Sequence, residues 1–153
     1  MNVESKLEEM NLTLPPPSPQ GGVYQSMLLV GNHAHFSGHV PLLADGSMMK
    51  GRVGEDVDLA GAQAAAKQVG LCILATAKDK LGSLDRIQRV VKLFGMVNCS
   101  PDFTKHPLVI NGCSELFRDI WGPDLGVGVR SAVGVGSLPI NVSVEIEGVF
   151  LID

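Results

Sequence analysis

The sequence predicts an α+β fold in which a mixed β-sheet carries two helices on one face. Residues 129–135 and 140–146 alternate apolar with polar or small side chains, which is the period of a strand with one covered face. Residues 56–81 and 107–121 instead repeat apolar side chains at helical spacing. The predicted element order is β-β-α-β-α-β-β, which favours one layer of helices against one sheet.

Residues 1–21 are expected to form an N-terminal arm that precedes a single domain of residues 22–153. Val3, Leu7 and Met10 would share one side of a short helix. The proline-rich segment that follows favours an extended chain. This pattern fits an arm that leads into the domain, and it fits a loosely attached tail equally well.

Two strands, residues 23–30 and 33–40, are predicted around a Gly-Asn turn. Alternation along the second strand places four polar side chains on one face: His33, His35, Ser37 and His39. Three histidines on one strand face suggest a zinc site as an alternative, but no cysteine or acidic residue is nearby in the sequence to complete it. We therefore expect partly exposed, hydrogen-bonded histidines and no metal site.

The middle of the chain is predicted to alternate helix, strand and helix. Residues 56–81 are rich in alanine, which allows close packing on a sheet, and Gly82 ends this helix. Residues 86–97 contain the β-branched side chains that favour a long strand. The second helix, residues 107–121, ends at a Gly-Pro pair.

The C-terminal stretch is predicted to form two strands with Leu138-Pro139 at the corner between them. Arg130 shares its strand face with alanine and glycine, so a ligand has room to dock against it. Glu145 lies on the polar face of the second strand. A single layer of helices leaves the other face of the sheet uncovered. The mixture of polar and apolar side chains on that face favours a ligand cleft or a contact with another subunit.

Composition argues against several classes of function. The formal net charge is −4 and the basic residues are scattered, so a nucleic-acid groove is not expected. No apolar run reaches the roughly 18 residues of a membrane span, and the charged N-terminus does not fit a signal peptide. Cys72, Cys99 and Cys113 are widely spaced and odd in number, as in reduced thiols that pack in a core. We expect a cytoplasmic protein without membrane or nucleic-acid partners.

The C-terminal motif also resembles that of a known family. The motif is R-S-A-V-G-V-G-S-L-P, and a glutamate in an E-I-E triplet follows fifteen residues after its arginine. This pattern resembles the signature of the Rid/YjgF family of reactive-intermediate (enamine/imine) deaminases. The likeness runs from about residue 22 to the C-terminus. Five positions match in order: Tyr24, Ser37, Asn111, Arg130 and Glu145. Ser37 begins a Ser-Gly-His-x-Pro pattern, in which Gly38 is the glycine.

The resemblance implies a chorismate-mutase-like fold that assembles as a homotrimer with its sites in clefts between subunits. It implies hydrolysis of 2-enamine or 2-imino acids to 2-keto acids and ammonia, without a metal or organic cofactor. Arg130 would hold the carboxylate of the small 2-imino or 2-keto acid, and Glu145 would orient the attacking water. The backbone around Ala132 would line the site with four further residues: Tyr24, Ser37, Gly38 and Asn111.

The sequence departs from the family pattern at two positions and leaves two alternatives open. Ala132 stands where well-characterised members often have cysteine, and Gly128 where proline is usual. Arg130 and Glu145 lie on strands predicted to be neighbours, so a cross-strand ion pair is one alternative. The other is a trimer of the same fold that binds a small carboxylate, or regulates a partner, without catalysis.

Overall fold

The computed structural model describes residues 2–153 and contains a five-stranded mixed sheet with the strand order β1-β2-β5-β3-β4. In chain order the elements are α1 (Val3–Glu9), β1 (Met27–Val30), β2 (His33–His39), α2 (Leu59–Leu81), β3 (Ile87–Asn98), α3 (His106–Leu125), β4 (Val129–Val135) and β5 (Val144–Ile152). β3 and β4 are parallel, whereas the other pairs are antiparallel. The predicted α+β class, the element order and the mixed sheet are confirmed.

Helices α2 and α3 form one layer that packs on one face of the sheet. The side chain of Asp58 caps α2 by accepting a hydrogen bond from the amide of Gly61 at 2.8 Å, and Gly82 ends α2 in the left-handed conformation. The two helices approach so closely at Gly112 that a Cβ atom there would overlap the backbone oxygen of Gln63. This contact fixes the position of α3 over β3 and β4.

Strand β3 lies between β4 and β5 at the centre of the sheet. The chain leaves β3, crosses through α3 and returns as the parallel strand β4, so the crossover places β4 at the edge. Strand β5 then passes to the other side of β3 and inserts between β3 and β2. The prediction that the two C-terminal strands are neighbours is wrong, because strand pairing joins distant parts of the chain that local patterns do not report.

The second sheet face, here called the open face, carries no helix. Register places Leu28 of β1 and Val129 and Val133 of β4 on this face, and the side chain of Val129 is 68% exposed. The hydrophobic core lies on the other side of the sheet, between the sheet and the helices, around Phe117 and Phe150. An apolar sheet face that is exposed in one chain is typical of a surface that another subunit covers.

Two predicted strand limits are wrong. Strand β1 begins at Met27 and not at residue 23, because the preceding residues form bends in which Tyr24 is exposed. Ile140 was expected to point inward with the apolar side chains of β5, but it lies in a 3-10 turn, Pro139–Asn141, with a φ of 48° and an exposed side chain. Proline lacks the amide hydrogen that a strand ladder requires, so the chain turns here before β5 starts.

The strand β2 contains a β-bulge that separates the three histidines. Its register with β5 shifts between Phe36 and His39, and His39 is buried against α2, whereas His33 and His35 lie on the open face. The prediction that all three share one face is therefore wrong. Within residues 2–153, no group of three His, Cys, Asp or Glu side chains is arranged to hold a metal ion.

The remaining composition-based predictions concern the cysteines and the membrane. All three cysteines are free and buried, as expected for thiols that pack in the core. In the described part of the chain, none of the helices combines the length and the apolar character needed to cross a membrane.

The N-terminal helix α1 packs on the domain. Val3 and Leu7 are buried in the same core as the sheet and the helices, and the amide of Val3 donates a hydrogen bond to Oδ1 of Asp85 at 2.8 Å. Lys78 of α2 lies 3.7 Å from the carboxylate of Glu4. The predicted helix of residues 3–10 is present and docked, while the division of the chain at residue 21 stays a prediction.

Replacing Leu7 tests this docking. Leu7→Ala removes buried apolar surface, and we expect it to lower the free energy of unfolding by about 2–4 kcal/mol, measured by urea denaturation at one fixed protein concentration. Glu8→Ala, an exposed position of the same helix, is the control and is expected to change stability by less than about 0.5 kcal/mol. Equal effects of the two substitutions would show that α1 does not stabilise the fold.

Candidate functional site

Four of the predicted site residues line one cleft, here called the glutamate cleft. It lies between the bulge of β2, the turn before β5 and the N-terminal arm, and has a volume of about 530 Å³. The predicted members are Tyr24, Ser37, Gly38 and Glu145. Ser18 and Pro19 of the arm form part of its wall, which the sequence did not indicate.

The bulge brings Gly38 directly against the carboxylate of Glu145. A methyl group at Gly38 would collide with Oε1 of Glu145, so only glycine leaves the carboxylate in place. The hydroxyl of Ser37 donates to the carbonyl of Gln25, and the hydroxyl of Tyr24 accepts from the amide of Gly21 at 3.1 Å. The cleft therefore combines a fixed backbone segment with one carboxylate.

The carboxyl of Glu145 has a raised pKa. Burial is the main cause, because the half-buried carboxylate loses hydration, and the negative charge of Glu147 on the same strand adds to it. Side chains two residues apart on a strand share a face, which explains why Glu147 acts on Glu145. A carboxyl group with a raised pKa is better suited to exchange protons near neutral pH.

Arg130 and Asn111 belong to a second cleft, here called the arginine cleft, of about 380 Å³ between α3 and β4. Nη2 of Arg130 donates to Oδ1 of Asn111 at 2.7 Å and to the carbonyl of Pro107 at 3.2 Å, and Nη1 donates to Oγ of Ser114 at 3.0 Å. All three acceptors lie on α3. The guanidinium group is thus held against the first turns of the helix.

The positive charge of Arg130 has no acidic partner. Of residues 2–153, no carboxylate lies within salt-bridge distance of Arg130, although it is partly buried. Uncharged acceptors orient a guanidinium group without neutralising it, and it keeps further N–H donors free. A partly buried cation in this state favours the binding of an anion.

Helix α3 positions the acceptors of the arginine cleft. Asn111 precedes Gly112, the residue of closest contact with α2, and its amide oxygen is directed to Arg130 and not to its own backbone. Ser114 follows three residues later on the same side of the helix. Ser114 was not predicted as a site residue, although its spacing from Asn111 indicates a shared helix face. Ala132 lies on the same strand face as Arg130 and packs against the core.

The two clefts are separate within one chain. Arg130 pairs with Leu93 of β3 and shares its helix-covered face, whereas Glu145 pairs with Met96. Met96 is three residues further along β3, so its side chain points to the open face. The Cα atoms of Arg130 and Glu145 are on the order of 14 Å apart, because two strand spacings of about 4.8 Å and three residues of about 3.3 Å each separate them. A cross-strand ion pair between them is excluded.

Comparison with known proteins gives a consistent result. Residues 4–147 match the family model described as "YjgF/chorismate_mutase-like, putative endoribonuclease". The chain is 36% identical over 145 residues to protein TCP17 of Trypanosoma cruzi, which covers 95% of this chain and 91% of that protein.

Two crystal structures show the same fold. Atu1372 of Agrobacterium tumefaciens, a protein of unknown function, is 41% identical with a TM-score of 0.89, over 99% of this chain and 94% of that one. RidA of the Antarctic bacterium Psychrobacter sp. is 26% identical with a TM-score of 0.62, over 90% of this chain and 94% of that one. The resemblance found in the sequence is confirmed by the family model, and the two structures confirm the fold.

The electrostatic coupling in the glutamate cleft can be measured directly. Glu147→Gln removes the neighbouring negative charge, so we expect the pKa of Glu145 to fall, as followed by carboxyl ¹³C shifts in an NMR titration. Glu55→Gln removes an exposed carboxylate elsewhere and serves as the control. An unchanged or higher pKa of Glu145 in Glu147→Gln would contradict the coupling.

Proposed function

This chain belongs to the YjgF/chorismate-mutase-like family, and on that premise we propose that it hydrolyses reactive 2-enamine and 2-imino acids to 2-keto acids and ammonia. One observation carries the proposal: Arg130 is oriented by three uncharged acceptors and has a free positive charge. A small carboxylate is the natural partner of such a guanidinium group, because the two bind through paired hydrogen bonds.

The proposed site is completed by a second subunit. Members of the family typically form trimers, and the open face of this chain exposes apolar side chains that such an assembly would cover. In a cyclic trimer, the arginine cleft of one subunit would meet the glutamate cleft of the next. Arg130 and Glu145 would then act on one ligand although they lie on opposite sheet faces of their own chain.

Arg130 would bind and orient the substrate. Its free N–H groups hold the carboxylate, and Asn111 and Ser114 keep the guanidinium group in place before the ligand arrives. The imine carbon is bonded directly to this carboxylate, so fixing the carboxylate also fixes the reacting carbon. An enamine reaches the same imine by tautomerisation: its terminal carbon gains a proton, its nitrogen loses one, and the C=C bond becomes the C=N bond.

Glu145 would handle the protons of the hydrolysis. In the first step the water oxygen bonds to the imine carbon as the C=N double bond becomes a single bond, and a proton of that water passes through Glu145 to the imine nitrogen. In the second step the C–N bond breaks, the proton of the new hydroxyl passes through Glu145 to the nitrogen, and the C=O bond forms. Glu145 ends unchanged, and its raised pKa suits both transfers.

A competition assay tests the proposal. An amino-acid oxidase generates the 2-imino acid, semicarbazide traps it, and an active deaminase lowers the semicarbazone signal. We expect Arg130→Met to lower kcat/KM about a hundredfold or more, because it removes the charge that binds the carboxylate. Glu145→Gln cannot accept a proton and is expected to lower kcat by a factor on the order of 10² to 10⁴.

Two controls and two contrary outcomes make the assay decisive. Glu9→Gln and Lys80→Met alter exposed charges outside both clefts and should retain the activity of the unmodified protein. If that protein fails to compete with semicarbazide for small, branched and aromatic imino acids, the deaminase proposal is wrong. Binding of a 2-keto acid without any turnover would instead indicate a carboxylate-binding protein of the same fold.

A further inference from the structure

His39 makes two hydrogen bonds from a buried position between the sheet and α2. Its Nδ1 lies 2.6 Å from the carbonyl oxygen of Ser37, and its Nε2 lies 2.8 Å from Oγ1 of Thr76. The side chains of His39 and Thr76 are both nearly inaccessible to solvent. A ring held at both nitrogens cannot rotate without losing a buried hydrogen bond.

These contacts define the tautomer of His39. A carbonyl oxygen only accepts hydrogen bonds, so Nδ1 carries the hydrogen and donates to Ser37. Burial lowers the pKa of His39 and keeps the ring neutral, although the bond to Ser37 opposes this effect. Nε2 is then the acceptor, and the hydroxyl of Thr76 is its donor.

The bond to Ser37 also determines the orientation of the next amide. The peptide between Ser37 and Gly38 is trans, since residues 2–153 contain no cis peptide bond. The C=O and N–H groups of a trans peptide point in opposite directions. Because the Ser37 carbonyl points to the ring of His39, the N–H of Gly38 points away from that ring. Gly38 itself lines the glutamate cleft.

We propose that His39 is a positioning residue of the glutamate cleft: held by Thr76, it fixes the Ser37–Gly38 peptide so that the Gly38 N–H donates into the cleft. The bulge explains why an anchor is needed, since Ser37 and Gly38 have no paired residue on β5. The ligand that receives this hydrogen bond is the carboxylate or carbonyl oxygen of the 2-keto or 2-imino acid. In this respect the inference rests on the proposed function.

The Gly38 amide can be observed selectively. Ser37-Gly38 is the only serine-glycine pair in the sequence, so cell-free labelling with ¹³C′-serine and ¹⁵N-glycine gives one carbonyl-correlated amide signal. This signal is followed during titration with 2-ketobutyrate and during hydrogen exchange. Both measurements are made on the assembled full-length protein.

Thr76→Val and Thr76→Ser form the matched pair of variants. Valine has the shape of threonine but no hydroxyl, so we expect about a fivefold to tenfold rise in KM and in the Kd for 2-ketobutyrate, with a smaller change in kcat. The Gly38 signal should move in the free protein and its hydrogen exchange should become faster. Serine retains the hydroxyl and should behave like threonine within about twofold.

A second pair tests the bond to Ser37. His39→Gln keeps an N–H donor within reach of the Ser37 carbonyl and should restore binding that His39→Leu loses. If Thr76→Val lowers only the stability and leaves the Gly38 signal and the Kd unchanged, His39 is merely structural and the inference is wrong. If the unmodified protein neither hydrolyses 2-imino acids nor binds 2-ketobutyrate, the proposed function is wrong. The position and hydrogen exchange of the Gly38 signal in the Thr76 variants still decide whether His39 positions this peptide.

Discussion

The placement of β3 between β4 and β5 is the constraint on which the site depends. It separates Arg130 from Glu145 by two strands, and side-chain alternation turns the two residues to opposite faces. The charge of Arg130 therefore cannot be neutralised by Glu145 of its own chain, and the three groups of α3 that accept its hydrogen bonds are uncharged. An unpaired guanidinium group in a partly buried position costs stability, and the proposed binding of a carboxylate would offset that cost.

Packing around the two clefts keeps their geometry fixed. On the arginine side, the close contact at Gly112 sets the distance between α2 and α3 and so places Asn111 opposite Arg130. On the glutamate side, the bulge of β2 brings Gly38 against the carboxylate of Glu145, and a larger residue at this position would displace that carboxylate. Helix α3 and the strands carry Arg130, Asn111 and Glu145, so these side chains would lose little conformational entropy when a ligand binds.

Much of the fold was predictable from the sequence, because long periodic segments such as α2 and β3 report their own secondary structure. The β-bulge was not predictable, because a strict alternation of side chains does not reveal one extra residue in a strand. The prediction therefore placed His39 on the wrong face of the sheet. The order of the strands was also not predictable from local patterns, because pairing depends on contacts between distant residues. Ser114 was not predicted for a similar reason: its spacing from Asn111 indicates a shared helix face, but its contact with Arg130 follows only once Arg130 is known to face α3.

Subunit complementation tests whether Arg130 of one subunit and Glu145 of its neighbour form one site. Arg130→Met and Glu145→Gln chains are given different affinity tags, refolded together, and purified through both tags so that only mixed assemblies remain. In a cyclic trimer each mixed assembly contains one intact interface, so the account predicts roughly one third of the activity of the unmodified protein. Mixed assemblies without activity above that of either variant alone would contradict a shared site.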